Sequence, residues 1–267
     1  MTGLTNIQNS GTPKWISQTS DQLGTRHSVD LIRNTQHWIL QKGQNPSEGL
    51  TRLMKDNKII LLGEQHDANP HRNAGDDYVR ALAKGGATHI AIEADPHEQE
   101  LIDNFMKTGD TSQLLGWMQS SEYLDILRAA RESGLKIVAI DNKSVRDRDG
   151  YMAQGVRDIV ESDPNAKVIV WIGSNHVSDQ YRADGTLHPH ASVTRRLRES
   201  GLEGVVSVNG AWPGQSPFGS LSEIVPVPTP TLIPTSGSPF ANVPHERPDD
   251  VVVEKGRSFD YWIFYPK

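Results

Sequence analysis

The sequence predicts an α/β fold with a mostly parallel central sheet and helices on both faces. Three observations carry this. Short apolar runs of strand length recur at 58–62, 89–92, 136–140, 167–172 and 204–208. Stretches of helical periodicity separate them. The runs are continuous rather than alternating, as strands buried on both faces require. Strand alternating with helix makes βαβ units, and right-handed crossovers then place helices on both sides of the sheet.

Taken in order, residues 1–25 are rich in Thr, Ser, Asn, Gln and Gly and offer too little apolar surface to offset the entropy of ordering, so a disordered polar leader is expected. Val29, Ile32, Trp38, Ile39 and Leu40 recur at near-helical spacing, predicting a helix over 27–42, with a second short one over 47–55. These are extra N-terminal helices ahead of the first strand. After that strand, 76–84 reads as helix closed by Gly85 and Gly86. The span 98–131 holds two or three helical segments broken near Gly109 and Ser120, and Gly134 fits the position just past a helix end. Helices are expected over 152–161, ending at Asp163-Pro164, and over 192–200, stopped by Gly201.

The pattern stops after Trp212. Nine of the sixteen prolines lie between Pro213 and Pro248. Proline removes ladder donors and restricts its preceding residue, so 213–250 is expected to be a Pro-rich C-terminal excursion, neither sheet core nor helix. It reads either as a lid over a site or as a surface return of the chain. A last strand is expected over 259–265, antiparallel at an edge. The expected organisation is a leader, 1–25, and a single α/β domain, 26–267, with its core at 58–210.

Composition excludes several chemistries. Cysteine is absent, which removes a thiol nucleophile, a disulfide framework and Cys-ligated metals. The net charge is −6, which argues against bulk binding to nucleic acid or anionic membrane. No apolar run approaches the roughly 20 residues of a membrane span. The N-terminal stretch lacks the basic and apolar regions of a secretory signal peptide. A cytoplasmic location is expected, or secretion without such a signal. There is no G-x-S-x-G elbow, P-loop or G-x-G-x-x-G. His97-Glu98 lacks the H-E-x-x-H frame, His188 and His190 read as loop histidines, and Trp117, Tyr123 and Leu127 read as helix core.

The residues just past each strand are more informative. The first strand runs into Gly63-Glu64-Gln65-His66, the second into Glu93, the third into Asp141, the fourth into Gly173-Ser174-Asn175-His176. Ligands of open α/β sheets bind beyond the carboxyl ends of the strands, so Glu64, His66, Glu93, Asp141 and His176 are expected on one rim. If strand geometry continues, Glu64 and His66 share a face; Gly63 allows a bend or a ligand's close approach. A histidine beside carboxylates has its charged form favoured, which suits a general base near neutral pH. Singly, each residue also has a structural reading: a strand-end pair for Glu64 and His66, a helix cap around Glu93-Ala94-Asp95-Pro96, turn residues for Asp141 and His176. Turn chemistry does not call for Glu or His, so the joint placement favours a site.

These stretches resemble a known superfamily: erythromycin esterases, ChaN-like haem-uptake proteins, Tiki metalloproteases, the C-terminal domain of Pasteurella-type toxins and the Ras/Rap1-specific endopeptidase domain. The resemblance lies in 60–71 (ILLGEQHDANPH), 90–94 (IAIEA), 123–141, 148–153 (RDGYMA) and 170–176 (VWIGSNH). It implies a catalytic set of Glu64, His66, Glu93 and His176, with Arg148 orienting a carboxylate. Asp141, His71 and Asn175 join Arg148 as expected substrate-binding residues. The cysteine of some toxin-type members is missing here, so a thiol mechanism does not transfer. The implied activity is hydrolysis of an ester, lactone or peptide bond in a small molecule or a protein, with His66 as base oriented by Glu64. The polar leader points towards a secreted effector acting on a host protein. Two rivals stay open: a Tiki-like metal-dependent protease, with Glu64, His66, Glu93 and His176 holding a divalent ion, and a ChaN-like haem binder without turnover.

Overall fold

The computed structural model describes residues 29–67, 69–181, 186–187, 191–213, 227–246 and 253–266. The expected leader at 1–25 and the histidines His188 and His190 lie outside the described residues.

Two helices, α1 (Val29–Lys42) and α2 (Pro46–Asp56), precede the first strand, β1 (Ile59–Glu64). A short α3 (Pro70–Asn73) and α4 (Gly75–Lys84) lead to β2 (His89–Ile92). A 3-10 turn over Pro96–Glu98, α5 (Gln99–Thr108), a second such turn over Gly116–Gln119 and α6 (Ser121–Glu132) connect to β3 (Lys136–Ala139). Then come α7 (Arg148–Ser162), β4 (Val168–Gly173), the single turn α8 (Ser174–Val177), α9 (Val193–Glu199) and β5 (Val205–Ala211). The remaining strands are β6 (Thr231–Pro234), β7 (Pro244–Glu246), β8 (Val253–Lys255) and β9 (Tyr261–Phe264).

Seven strands form one sheet in the order β3-β2-β4-β1-β5-β9-β6, while β7 and β8 pair separately. Every pairing in the large sheet is parallel except β6 with β9. Side-chain alternation along each strand divides the apolar run between two cores. Ile59, Leu61, Val168, Val170 and Ile172 meet Met152 and Val156 of α7 and Val193 and Leu197 of α9. Ile60, Leu62, Ile90, Ile92, Ile169 and Trp171 meet Leu50 and Met54 of α2, Val79 and Leu82 of α4, and Ile126 and Leu127 of α6. The runs are continuous because both faces are covered.

The breaks expected at Gly109, Ser120 and Gly134 are present: both glycines have positive φ, and Ser120 stands at the N-terminal boundary of α6. Three expectations are corrected. The Pro-rich 213–250 stretch is not free of sheet, since β6 joins the large sheet within it. Pro234 is tolerated because β6 is an edge strand, where a missing ladder donor costs nothing to a further neighbour. The last strand is interior, parallel to β5 and antiparallel to β6, because β6 takes the edge position. Trp117 is 38% exposed, so it is not core; its ring packs 5.0 Å from Tyr123, which is buried as expected.

Candidate functional site

Register brings the rim together. Glu64, the last residue of β1, lies opposite Gly173, the last of β4, and Ile92 lies opposite Trp171, so Glu93 emerges beside the end of β4. β1 stops at Glu64, and the next residues bend. Asn69 fixes that bend: its side chain caps α3 by accepting from Arg72 N, and its amide donates to the carbonyls of Asp67 and Gln65. Arg72 completes the support by donating to the His66 carbonyl. Strand geometry therefore does not align Glu64 with His66; the loop does, placing His66 Nδ1 3.3 Å from Glu64 Oε1.

Glu64 is almost fully buried. The Trp171 indole donates to its Oε2 at 2.7 Å, and Arg72 Nε lies 3.7 Å from the same oxygen. The Arg72 guanidinium stacks 5.1 Å over the Tyr123 ring. Glu93 accepts from Arg148 Nη2 at 2.9 Å and from the Gly173 N–H at 2.8 Å. Arg148 also clamps the fully buried Asp141, donating from Nε at 2.9 Å and from Nη2 at 2.5 Å. Two facing carboxylates hold that guanidinium charged, raising its pKa, with Asp141 the stronger influence. His176, in α8, contacts Asp149 through Nδ1 at 2.5 Å and has Nε2 3.6 Å from Glu93 Oε1.

The rings differ in charge. Burial pushes the His176 ring down, but Asp149 and then Glu93 outweigh it and raise the pKa to about 9, so the ring is cationic at neutral pH. Burial likewise works against an ionised Glu93, yet His176 and the Gly173 N–H hold its carboxyl down to about 2. The Glu64 hydrogen bond raises the pKa of His66, whose side chain is 67% exposed. Nδ1 of His66 faces Glu64, leaving Nε2 for the interior of the cluster. The groups converge over one atom. A methyl built on Gly173 would lie 3.1 Å from Glu93 Oε2, 3.3 Å from His66 Nε2 and 3.6 Å from His176 Cδ2.

Glu64, His66, Glu93, Asp141, Arg148 and His176 are thus brought to one place. Asn175 is exposed on the adjoining turn. His71 is not on the open rim, which corrects its expected contact with substrate. It is fully buried, stacked on Trp171 at 5.9 Å, with Nδ1 3.0 Å from the Tyr265 hydroxyl. Its apolar surroundings favour the neutral ring, with a pKa lowered to about 4. Gly63 serves packing rather than a ligand, since a methyl there would meet Asn209 Oδ1 and Ser174 Cα at 3.1 Å. Asp95, not Glu93, is the cap of the following turn, in a reciprocal pairing with Glu98. Three residues were not singled out from the sequence. Asp149 and Trp171 had a signal, their place in the stretches of resemblance at 148–153 and 170–176; Arg72 had none beyond an ordinary helix position.

The donor set does not fit a divalent metal. Both Glu93 oxygens already accept hydrogen bonds, Glu64 Oε2 accepts from Trp171, and His176 Nδ1 is engaged by Asp149. Among the described residues, no three His, Asp or Glu side chains are arranged to hold an ion. No described helix is long and apolar enough to cross a membrane.

The family described as haem-binding uptake, Tiki superfamily, ChaN matches residues 50–145. Solved structures share the fold at low identity. A Bacillus cereus protein is 14% identical with a TM-score of 0.63, over 88% of this chain and 97% of its own. A succinoglycan biosynthesis protein is 10% identical with a TM-score of 0.69, over 89% and 96%. ChaN of Campylobacter jejuni, which binds haem cofacially, is 15% identical with a TM-score of 0.50, over 87% and 96%. No curated protein sequence matches the chain. The matched segment contains Glu64, His66, Glu93 and Asp141, and through it the chain resembles the ChaN and Tiki superfamily, as its motifs imply.

Proposed function

We propose that the chain is a hydrolase of an ester, lactone or peptide bond, with Glu64, His66, Glu93 and His176 as its catalytic set. The observation that supports this most is the meeting of His66 Nε2, Glu93 Oε2 and His176 around Gly173. Glu64 holds the His66 ring so that Nε2 accepts a proton from water. The water oxygen bonds to the carbonyl carbon, and electrons move onto the carbonyl oxygen. The His176 cation, with Arg148 behind Glu93, stabilises that charge. The carbonyl re-forms as the bond to the leaving oxygen or nitrogen breaks; that atom takes a proton from His176, and solvent restores both rings. A general base of this kind is worth about 10²–10⁴-fold.

The test is turnover of 4-nitrophenyl acetate by the purified chain. His66→Ala and Glu64→Gln should each lower it by at least about 10²-fold while the protein stays folded; turnover indifferent to both would refute the assignment. In its narrower form the substrate is a host protein and the chain a secreted effector. The polar composition of residues 1–25 supports that form, and export of a tagged chain tests it.

The family match favours a second reading, haem binding without turnover. The cluster does not fit that group. His66 turns Nε2 inward towards Gly173, and the surroundings are carboxylates and guanidinium groups rather than an apolar wall for a porphyrin. Titration with haem decides it: a Soret band that survives Glu64→Gln is what this second reading requires.

A further inference from the structure

We infer that Gly173 is a positioning residue that keeps open the seat of the attacking water, between His66 Nε2 and Glu93 Oε2. The inference rests on the hydrolase reading and deepens it. Gly173 has φ −54° and ψ 137°, a conformation open to any residue, so its backbone does not require glycine. Its neighbours do. A Cβ would point into the cluster, 3.1 Å from Glu93 Oε2 and 3.3 Å from His66 Nε2. The inferred water sits just beyond that position with both groups as its partners, since a polar site with two or more hydrogen-bond partners holds a water well.

The two partners are an acceptor pair. Glu93 Oε2 already takes the Gly173 N–H and has a lone pair left, and in the neutral His66 tautomer with Nδ1–H towards Glu64, Nε2 is an acceptor as well. A water donating one hydrogen to each keeps its own lone pairs free, directed away from Glu93 and towards an incoming carbonyl. In the reacting step the hydrogen on the His66 side transfers to Nε2 as the oxygen–carbon bond forms. The Glu93 hydrogen bond orients the water without taking its proton. A carboxylate held down to about 2 fits that passive role.

The experiment compares Gly173→Ala with the wild type and with Gly116→Ala, a glycine whose Cβ would meet nothing within 4 Å. The alanine methyl at 173 crowds the water's place from the backbone side. With 4-nitrophenyl acetate, Gly173→Ala should lose about 100-fold or more in kcat with KM within about threefold, and Gly116→Ala should match the wild type. An unchanged kcat overturns the inference, as does a raised KM at normal kcat, which would make the space part of the substrate's binding surface. A readout without turnover runs in parallel: carbethoxylation of His66 by diethyl pyrocarbonate, followed by peptide mass spectrometry. It should slow in Gly173→Ala, because the methyl crowds Nε2. If the wild type does not turn over the ester, the ester form of the hydrolase reading fails; an undiminished His66 modification rate in Gly173→Ala overturns the placement of the seat independently.

Discussion

Removing the charge of Asp149 should flatten a loss of stability on the alkaline side. The His176 pKa is about 9 in the fold against 6.5 for a free ring. A folded value above the unfolded one gives stability that is complete below pH 6.5 and lost as the pH rises through about 9. At roughly 1.4 kcal/mol for each tenfold change in proton affinity, that interval comes to roughly 3 kcal/mol. The ring is 20% exposed, so solvent screens it little. The charged groups facing it are Asp149 from α7, Glu93 after β2 and His66 after β1. His66 also has a raised pKa and contributes with the same sign, but it does so in both proteins and cancels in the comparison. Urea unfolding between about pH 6 and 10 is the assay. The wild type should lose stability across that window, and Asp149→Asn, which keeps the shape and an acceptor, should lose distinctly less. Equal slopes for the two proteins would refute the account of what charges His176.

Two other perturbations reach the support behind the site. Burial lowers the His71 pKa to about 4, so stability should fall as the pH drops from 6.5 through about 4, by roughly 3 kcal/mol; His71→Phe keeps the stack on Trp171 and should abolish that acid sensitivity in urea titrations. Trp171→Phe removes the 2.7 Å hydrogen bond to a carboxylate that is 4% exposed. It should cost about 1–3 kcal/mol in unfolding free energy, and it should lower turnover because Glu64 no longer holds its direction.

A residue is legible in the sequence when its own neighbours along the chain dictate its place. The parallel strands were legible because burial on both faces leaves no polar position in 59–62 or 168–172. Glu64, Glu93, Asp141 and His176 were legible because polar groups directly after such runs have only the rim to occupy. β6 was not legible: Thr231-Leu-Ile-Pro234 is short and flanked by prolines, and only the neighbouring β9 makes it a strand. The partners of the rim residues were hidden for a similar reason. Trp171 reads as one more apolar residue of β4, and nothing in its own stretch says that its N–H ends against a carboxylate from β1. His71 misled because its place in the motif is the same whether its ring faces solvent or Tyr265.

β9 lies inside the sheet, and this has a consequence for how the protein comes to be made. The Tyr265 hydroxyl next to it closes on His71, 194 positions earlier, and His71 in turn flanks the indole that steadies Glu64. On the ribosome, the early strands can assemble, but their neighbourhood stays unfinished until residues 261–265 have emerged. Contacts spanning so much of the chain form late and slowly. Chains broken off before that point would lack the prop beneath the carboxylate, so a competent centre would itself report that synthesis has reached β9.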